Sequence, residues 1–121
     1  MKCSLHVHSS YSDGRGTISD IVEAAKKLGI DELGFSDHLN LSVIDKSVHV
    51  GELSIGQLER YVEDILSFSH LKKPAVRLGL EVEFVASAAD RLKEILKTFP
   101  IDYLIGSVHG IDENYRIDYT R

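Results

Sequence analysis

Two periods of hydrophobic and polar residues alternate along the chain. Short apolar stretches over 3–8, 33–36, 76–82 and 102–108 predict β-strands. Between them, apolar residues recur every three or four positions, which predicts helices beginning after Thr17, Ser54 and Ser87. Strands that alternate with helices are typical of βαβ units and a parallel sheet.

Each predicted helix has a start signal and an apolar face. The segments Thr17-Ile-Ser-Asp20, Ser54-Ile-Gly-Gln57 and Ser87-Ala-Ala-Asp90 are N-terminal capping patterns, and Gly29 is placed to end the first helix. The predicted apolar faces are Ile18, Ile21, Val22, Ala25 and Leu28; Leu58, Tyr61, Val62, Ile65 and Leu66; and Leu92, Ile95, Leu96 and Phe99. We expect these faces to pack against the sheet.

The first strand is expected to have one apolar and one polar face. Simple alternation places Cys3, Leu5 and Val7 on the face toward the helices. Ser4, His6 and His8 then share the opposite face. Cys3 is accordingly predicted to be a small core residue.

Composition narrows the class of protein. A chain of 121 residues with 43% apolar and 27% charged residues is typical of one soluble globular domain. The net charge of −5 argues against a nucleic-acid surface but does not disfavour divalent cations. The single cysteine, Cys3, excludes an internal disulfide and fits the reducing cytoplasm. The sequence shows neither a signal-peptide pattern nor a long apolar span, so we expect a cytoplasmic protein with no membrane partner.

Potential metal ligands recur where the predicted strands end. They are His6 and His8 on the first strand, Asp13 in the loop after it, His38 after the second strand, Glu81 near the end of the third, and His109 at the end of the fourth. The carboxyl ends of parallel strands meet at one edge of a barrel or sheet, where active sites are built. We therefore expect these side chains to converge on a metal centre.

The individual signals are much weaker than their combination. A lone His-x-His motif such as His6–His8 is as often structural as metal-binding, and Asp13 stands in a favoured turn sequence. Glu81 is more informative, because an unpaired carboxylate that faces inward at a strand end is costly. It is predicted to share a face with Arg77 and Gly79, and a carboxylate can bridge two cations.

With these residues placed, the chain resembles the PHP (polymerase and histidinol phosphatase) family of metal-dependent phosphoesterases, and within it the histidinol-phosphatase branch. The segments LHVHSSYSDG, GFSDH, RLGLEVEF and DYLIGSVHG carry the resemblance. It implies a distorted (β/α)7 TIM-like barrel that binds up to three divalent ions, of zinc, manganese or iron. By the same resemblance, His6, His8 and Glu81 bind one ion. Glu81 bridges to a second that His109 also binds, while Asp13 and His38 hold the third.

The resemblance also implies that the chain is incomplete. Family members carry further ligands in the second half of the barrel, whereas only twelve residues follow His109 here. We therefore expect residues 1–121 to form one α/β domain, the N-terminal half of such a barrel. A small open α/β sheet is the alternative fold.

The function implied by the resemblance is hydrolysis of a small phosphate monoester, such as histidinol phosphate in histidine biosynthesis, by metal-activated water. Arg15, Lys46 and Arg77 are candidate phosphate contacts, and the loop over 39–53 is placed to select the substrate. Two alternatives remain. One is a phosphodiesterase or nuclease of the same family. The other is a non-catalytic half-barrel that self-associates through unpaired sheet edges or pairs with its missing half.

Overall fold

The computed structural model describes residues 1–41, 51–83, 86–107, 110–112 and 115–116. Its strands are β1 (Cys3–Val7), β2 (Glu32–Asn40), β3 (Leu53–Ser54), β4 (Ala75–Glu83), β5 (Tyr103–Ser107), β6 (Gly110–Asp112) and β7 (Tyr115–Arg116). Its helices are α1 (Ile18–Leu28), α2 (Leu58–Leu66) and α3 (Ala89–Thr98). The four predicted strands and three predicted helices are therefore confirmed, while β3, β6 and β7 were not predicted.

The main sheet is parallel throughout. Its order is β1-β2-β4-β5, and β3 pairs with the carboxyl end of β2. The short strands β6 and β7 form a separate antiparallel pair. Because β2 extends to Asn40 and β3 begins at Leu53, the connection is shorter than the predicted loop over 39–53. Residues 42–50 of that loop lie outside the described residues.

A contact between the two outermost strands of this order shows that the sheet is curled. Tyr103 on β5 donates a hydrogen bond from its hydroxyl to the main-chain oxygen of Leu5 on β1 over 2.6 Å. In a flat sheet these strands would lie about 14 Å apart, which is three strand spacings and farther than a tyrosine reaches. The parallel strands thus form a curled half-barrel of the α/β class, as predicted, with Tyr103 on its concave face.

The helices pack on the convex face of the sheet. The core there is built from the apolar side chains of β2 and β4 and from one face of each helix: Leu33, Phe35, Leu39, Leu78, Leu80, Val82, Ile18, Val22, Ala25, Leu58, Tyr61, Val62, Ile65 and Ile95. The predicted helix faces are wrong at one edge of each helix, since Leu28, Leu66 and Leu96 are 66%, 42% and 43% exposed.

The helix ends follow the sequence in α1 and α2 but not in α3. Thr17 caps α1 in a complete capping box with Asp20, and Gly29 ends the helix in the left-handed conformation (φ 68°). Before α2, the main-chain N–H of Ser54 donates to the side chain of Gln57. The predicted start of α3 at Ser87 is wrong, because residues 86–88 form a 3-10 turn and the cap position makes no side-chain bond.

A bulge in β1 corrects the predicted alternation of that strand. Ser4 and Val7 pair with β2 residues that are only two positions apart, so β1 contains one extra residue. Leu5 and His6 consequently both lie on the concave face. The prediction that Cys3 is a core residue is also wrong, since its side chain is exposed.

Candidate metal centre

The centre is built on a register pair between β2 and β4. His38 lies directly opposite Glu81, so their side chains emerge side by side on the concave face. His38 Nδ1 is 2.5 Å from Glu81 Oε2. His38 lies within β2 and not beyond its end, because that strand is longer than the sequence predicted. Glu81 is only 3% exposed, so its charge depends on nearby polar partners.

Strand β1 supplies two imidazoles to the same carboxylate. His6 Nε2 is 2.6 Å from Glu81 Oε1, and His8 Nε2 is 3.9 Å from the same oxygen. After the extra residue in β1, side chains again alternate between the two faces. His6 and His8 therefore point to the concave face, and Val7 between them packs against the core. The rings of His6 and His8 lie 5.1 Å apart between centroids.

The loop after β1 brings in a second carboxylate. Asp13 Oδ1 is 2.7 Å from His8 Nδ1, and Asp13 Oδ2 is 3.2 Å from His38 Nε2. Partial burial raises the pKa of Asp13, but attraction to the His38 and His8 imidazoles outweighs burial and holds that pKa below its usual value. Asp13 therefore stays ionised near neutral pH and contributes negative charge to the centre.

These side chains fit a divalent cation. They form two groups, His6–His8–Glu81 and His8–Asp13–His38, and the ligand atoms within each group lie within 4.8 Å of one another. His8 Nε2 is a buried polar atom without a hydrogen-bond partner, which a cation would satisfy. Imidazole nitrogen with carboxylate oxygen is a donor set that zinc, manganese and iron accept. Since both groups share His8, two cations held there would be close neighbours.

Five of the six predicted metal ligands thus come together, and the sixth, His109, lies outside the described residues, as does the candidate phosphate contact Lys46. Arg15 is exposed in the loop that follows β1. Arg77 lies four positions before Glu81 on β4, and its Nε is 3.5 Å from Glu32 Oε1. The structure therefore places Arg77 toward the amino end of the sheet, away from the centre.

Behind the centre, the structure shows a connection that the sequence did not specify. Asp37, next to His38 but on the convex face, accepts hydrogen bonds from Ser9 and Ser12 of the Asp13 loop. Because neighbouring residues of a strand point to opposite faces, Asp37 faces away from His38 within β2. Its partners could not be inferred, although a carboxylate in the apolar phase of a strand signals that donors must approach it.

The fold and the site together define a parallel α/β half-barrel with imidazole and carboxylate ligands at the carboxyl ends of its strands. Residues 4–121 match the PHP domain family. The chain belongs to this family. None of the described helices has the length and apolar character needed to cross a membrane.

Curated relatives give the family context. The chain is 29% identical to a probable histidinol-phosphatase of Deinococcus radiodurans over 88% of this chain and 42% of that protein. It is 30% identical to the histidinol-phosphatase of Bacillus subtilis over 94% of this chain and 47% of that protein. With the DNA polymerase III subunit alpha of Borreliella burgdorferi, identity is 31% over 84% of this chain and 9% of the relative. The chain thus spans less than half of the curated relatives it matches. No solved structure matches it.

Proposed function

We propose that the protein is a metal-dependent phosphatase that hydrolyses a small phosphate monoester such as histidinol phosphate. The observation that carries the proposal is that His8 belongs to two adjacent ligand groups. One group contains the buried carboxylate of Glu81, and the other contains the exposed carboxylate of Asp13. When bound, divalent cations lower the pKa of water to near neutrality and offset the charge on phosphoryl oxygens. The matching of the chain to the PHP domain family supports the same class of reaction.

The side chains divide the work between a buried and an open side of the centre. Glu81, at 3% exposure, provides the carboxylate of the buried side, with both oxygens directed at imidazoles. His6 and Asp13 are 41% and 49% exposed, so they form the side from which a phosphate ester can approach. Neutral imidazoles offer their lone pairs without adding positive charge, and the two carboxylates offset the charge of the cations.

The proposed substrate class rests on the relatives and on the charge of the chain. Two of the curated relatives carry names of histidinol-phosphatases, which supports a small monoester. Arg15, two residues beyond Asp13, is the proposed phosphate contact among the described residues, since it is exposed in the loop that carries Asp13. We also propose that the protein works in the cytoplasm, where its free and exposed Cys3 would remain reduced.

A phosphodiesterase is the second candidate. The similarity to a DNA polymerase III subunit alpha supports it, because the name of that relative refers to a nucleic acid. The net charge of −5 makes a long nucleic-acid partner less favourable than a small ester.

The test is hydrolysis by protein loaded in turn with Mn²⁺, Zn²⁺ and Fe²⁺. Histidinol phosphate and p-nitrophenyl phosphate report monoesterase activity, and bis(p-nitrophenyl) phosphate reports diesterase activity. We expect metal-dependent hydrolysis of the monoesters that is lost in Glu81→Gln. Preference for the diester would favour the second candidate. Tight metal binding with no hydrolysis of either class would contradict both and indicate a non-catalytic metal-binding domain.

A further inference from the structure

A buried carboxylate lies behind the metal centre, and its hydrogen-bond partners among the described residues are uncharged. Asp37 is fully buried on the convex face of β2 among apolar side chains. In the part of the chain that the structure describes, it forms no ion pair and relies on neutral donors. A carboxylate is costly to bury unless its oxygens accept hydrogen bonds, so the bonds that Asp37 accepts are important to the fold around it.

Three hydrogen bonds to the Asp37 carboxylate come from one loop. Asp37 Oδ1 accepts from the main-chain N–H of Ser9 over 2.6 Å and from the hydroxyl of Ser12 over 2.6 Å. Asp37 Oδ2 accepts from the Ser9 hydroxyl over 2.9 Å. Ser9 directly follows His8, and Ser12 directly precedes Asp13. The carboxylate therefore holds the loop at Ser9 and at Ser12, each of which is next to a candidate metal ligand.

The support for this carboxylate is itself rigid. The main-chain N–H of Asp37 donates to the hydroxyl of Tyr61 over 3.3 Å, and that hydroxyl donates to Gly79 O over 2.9 Å. Tyr61 is fully buried, and it ties β2 to β4 just before the register pair of His38 and Glu81. The loop is anchored to the same part of the sheet that holds the other ligands.

Asp13 is the ligand that depends most on this anchor. It is 49% exposed, it lies in a loop, and it reaches His8 and His38 at the carboxyl edge of the sheet through its side chain alone. His6, His8, His38 and Glu81 lie on or directly after strands, where the sheet fixes their positions. A loop freed from Asp37 would therefore displace Asp13 and leave the strand ligands in place.

We propose that Asp37 is a positioning residue of the metal centre: it holds the loop after β1 so that Asp13 completes the His8–Asp13–His38 group. This inference rests on the proposed metal site but concerns a residue outside it. It assigns Asp37 to one of the two cation groups and not to the other. Groups that orient metal ligands typically contribute about 10- to 100-fold to metal affinity.

The experiment is a Mn²⁺ titration followed by electron paramagnetic resonance, on the wild-type chain and on Asp37→Asn, Asp13→Asn and the double variant. Asp37→Asn places an amide N–H₂ against the donors of the loop. It should weaken by about tenfold the same class of Mn²⁺ that Asp13→Asn weakens, leaving the other class within about twofold. The double variant should bind no worse than Asp13→Asn alone, because both changes act through one ligand.

A matched control separates positioning from general stability. Asp102→Asn removes another carboxylate that accepts a main-chain N–H, that of Leu78, over 2.8 Å at the amino end of β5. It should leave both classes of Mn²⁺ unchanged, even where it lowers the melting temperature. If Asp37→Asn does not fold, Ser12→Ala removes one of the three hydrogen bonds, keeps the carboxylate, and should weaken the same class by a smaller factor.

Hydrogen exchange of residues 9–16 in the metal-free protein gives a readout that needs no bound cation. We expect faster exchange in Asp37→Asn than in wild type, confined to this loop. Unchanged Mn²⁺ binding in Asp37→Asn, or effects that add in full with Asp13→Asn, would overturn the inference. A wild-type chain that binds no Mn²⁺ would instead contradict the proposed function, and the exchange rates would still decide whether Asp37 holds the loop.

Discussion

Glu81 and His38 form a register pair across β4 and β2, and His38 Nδ1 lies 2.5 Å from Glu81 Oε2. The other oxygen of Glu81 lies 2.6 Å from His6 Nε2 on β1. One buried carboxylate therefore connects side chains of three neighbouring strands. Removing its charge should affect the whole centre and not a single contact.

We predict that Glu81→Gln lowers Mn²⁺ affinity by at least about 100-fold, more than changes to groups around a ligand usually do. The amide retains the shape of the carboxylate but offers a neutral oxygen and an N–H₂ group, which repels a cation. Equilibrium dialysis with elemental analysis measures the bound metal, and circular dichroism checks the fold. The control is Glu94→Gln on α3, where the carboxylate is 74% exposed and pairs with Lys97. Wild-type metal binding by Glu81→Gln would contradict this role.

The concave face below the centre depends on glycine where Tyr103 crosses the sheet. A Cβ at Gly79 would lie 2.4 Å from Tyr103 Cζ, and a Cβ at Gly34 would lie 2.3 Å from its hydroxyl oxygen. We predict that Gly79→Ala lowers the free energy of unfolding by about 1–3 kcal/mol, since the ring has to shift and gives up its bond to Leu5.

Thermal unfolding measures this effect, and about 1 kcal/mol corresponds to a few degrees in a domain of this size. Gly106→Ala is the matched control, because a Cβ at that position on β5 would meet no atom of the described residues within 4 Å. Equal melting temperatures for Gly79→Ala and Gly106→Ala would show that the Tyr103 ring is not held where the structure places it.

Local sequence patterns predicted the order of the main elements because each pattern is set by neighbours in the chain. Alternation failed in β1, where the bulge between Ser4 and Val7 changes which side chains face inward. A bulge depends on pairing with β2, so residues 3–8 alone could not reveal it. Helix periodicity likewise predicted which face of each helix is apolar. It could not predict how much of that face the sheet covers, and Leu28 and Leu96 remain exposed.

For the site, residue type and strand position were enough to predict that His6, His8, Asp13, His38 and Glu81 converge. The network behind them was out of reach, because Asp37 and Ser9 are 28 positions apart and no periodicity relates a loop serine to a strand aspartate. The paired strands explain this difference. The neighbours of a ligand on a strand are set by the register between paired strands, whereas the contacts of a loop residue depend on the path of the loop.

Tyr11, in the loop after β1, should ionise at a higher pH than an ordinary tyrosine. Tyr11 donates from its hydroxyl to Asp64 Oδ2 over 3.1 Å, and its ring packs edge-on against Tyr61. Burial first, and then the negative charge of Asp64, raise the pKa of Tyr11 to about 12 against the opposing effect of Arg60. Because the folded-state pKa is raised, this contribution to stability is fully present below pH 10.0 and is lost as the pH rises toward 12.

We therefore predict that the free energy of unfolding falls over this alkaline range and falls less steeply in Tyr11→Phe. Denaturant unfolding at a series of pH values tests this, with ultraviolet difference spectra to follow ionisation. In Asp64→Asn, the Tyr11 ionisation should move to lower pH. Identical alkaline profiles for wild type and Tyr11→Phe would contradict the contact between the loop and α2.

Self-association through an unpaired sheet edge stays a prediction, and β5 provides the edge at which it can be tested. In the described part of the main sheet β5 pairs only with β4, and beside it a cavity of about 330 Å³ lies between β5 and α3, with Leu92, Leu96 and Leu104 in its lining. We propose that a second copy of the chain covers this edge, because an identical strand can satisfy unpaired main-chain groups in a two-fold symmetric dimer.

Light scattering coupled to size-exclusion chromatography tests this at tens of micromolar protein, with and without Mn²⁺. We expect a dimer that Leu96→Lys with Leu104→Lys converts to monomer, since two charges would have to be buried without partners. Leu28→Lys is the control, because Leu28 is more exposed than either residue and lies on α1, remote in sequence from this edge. A wild-type monomer at these concentrations would contradict the proposal and leave the β5 edge open to a different chain.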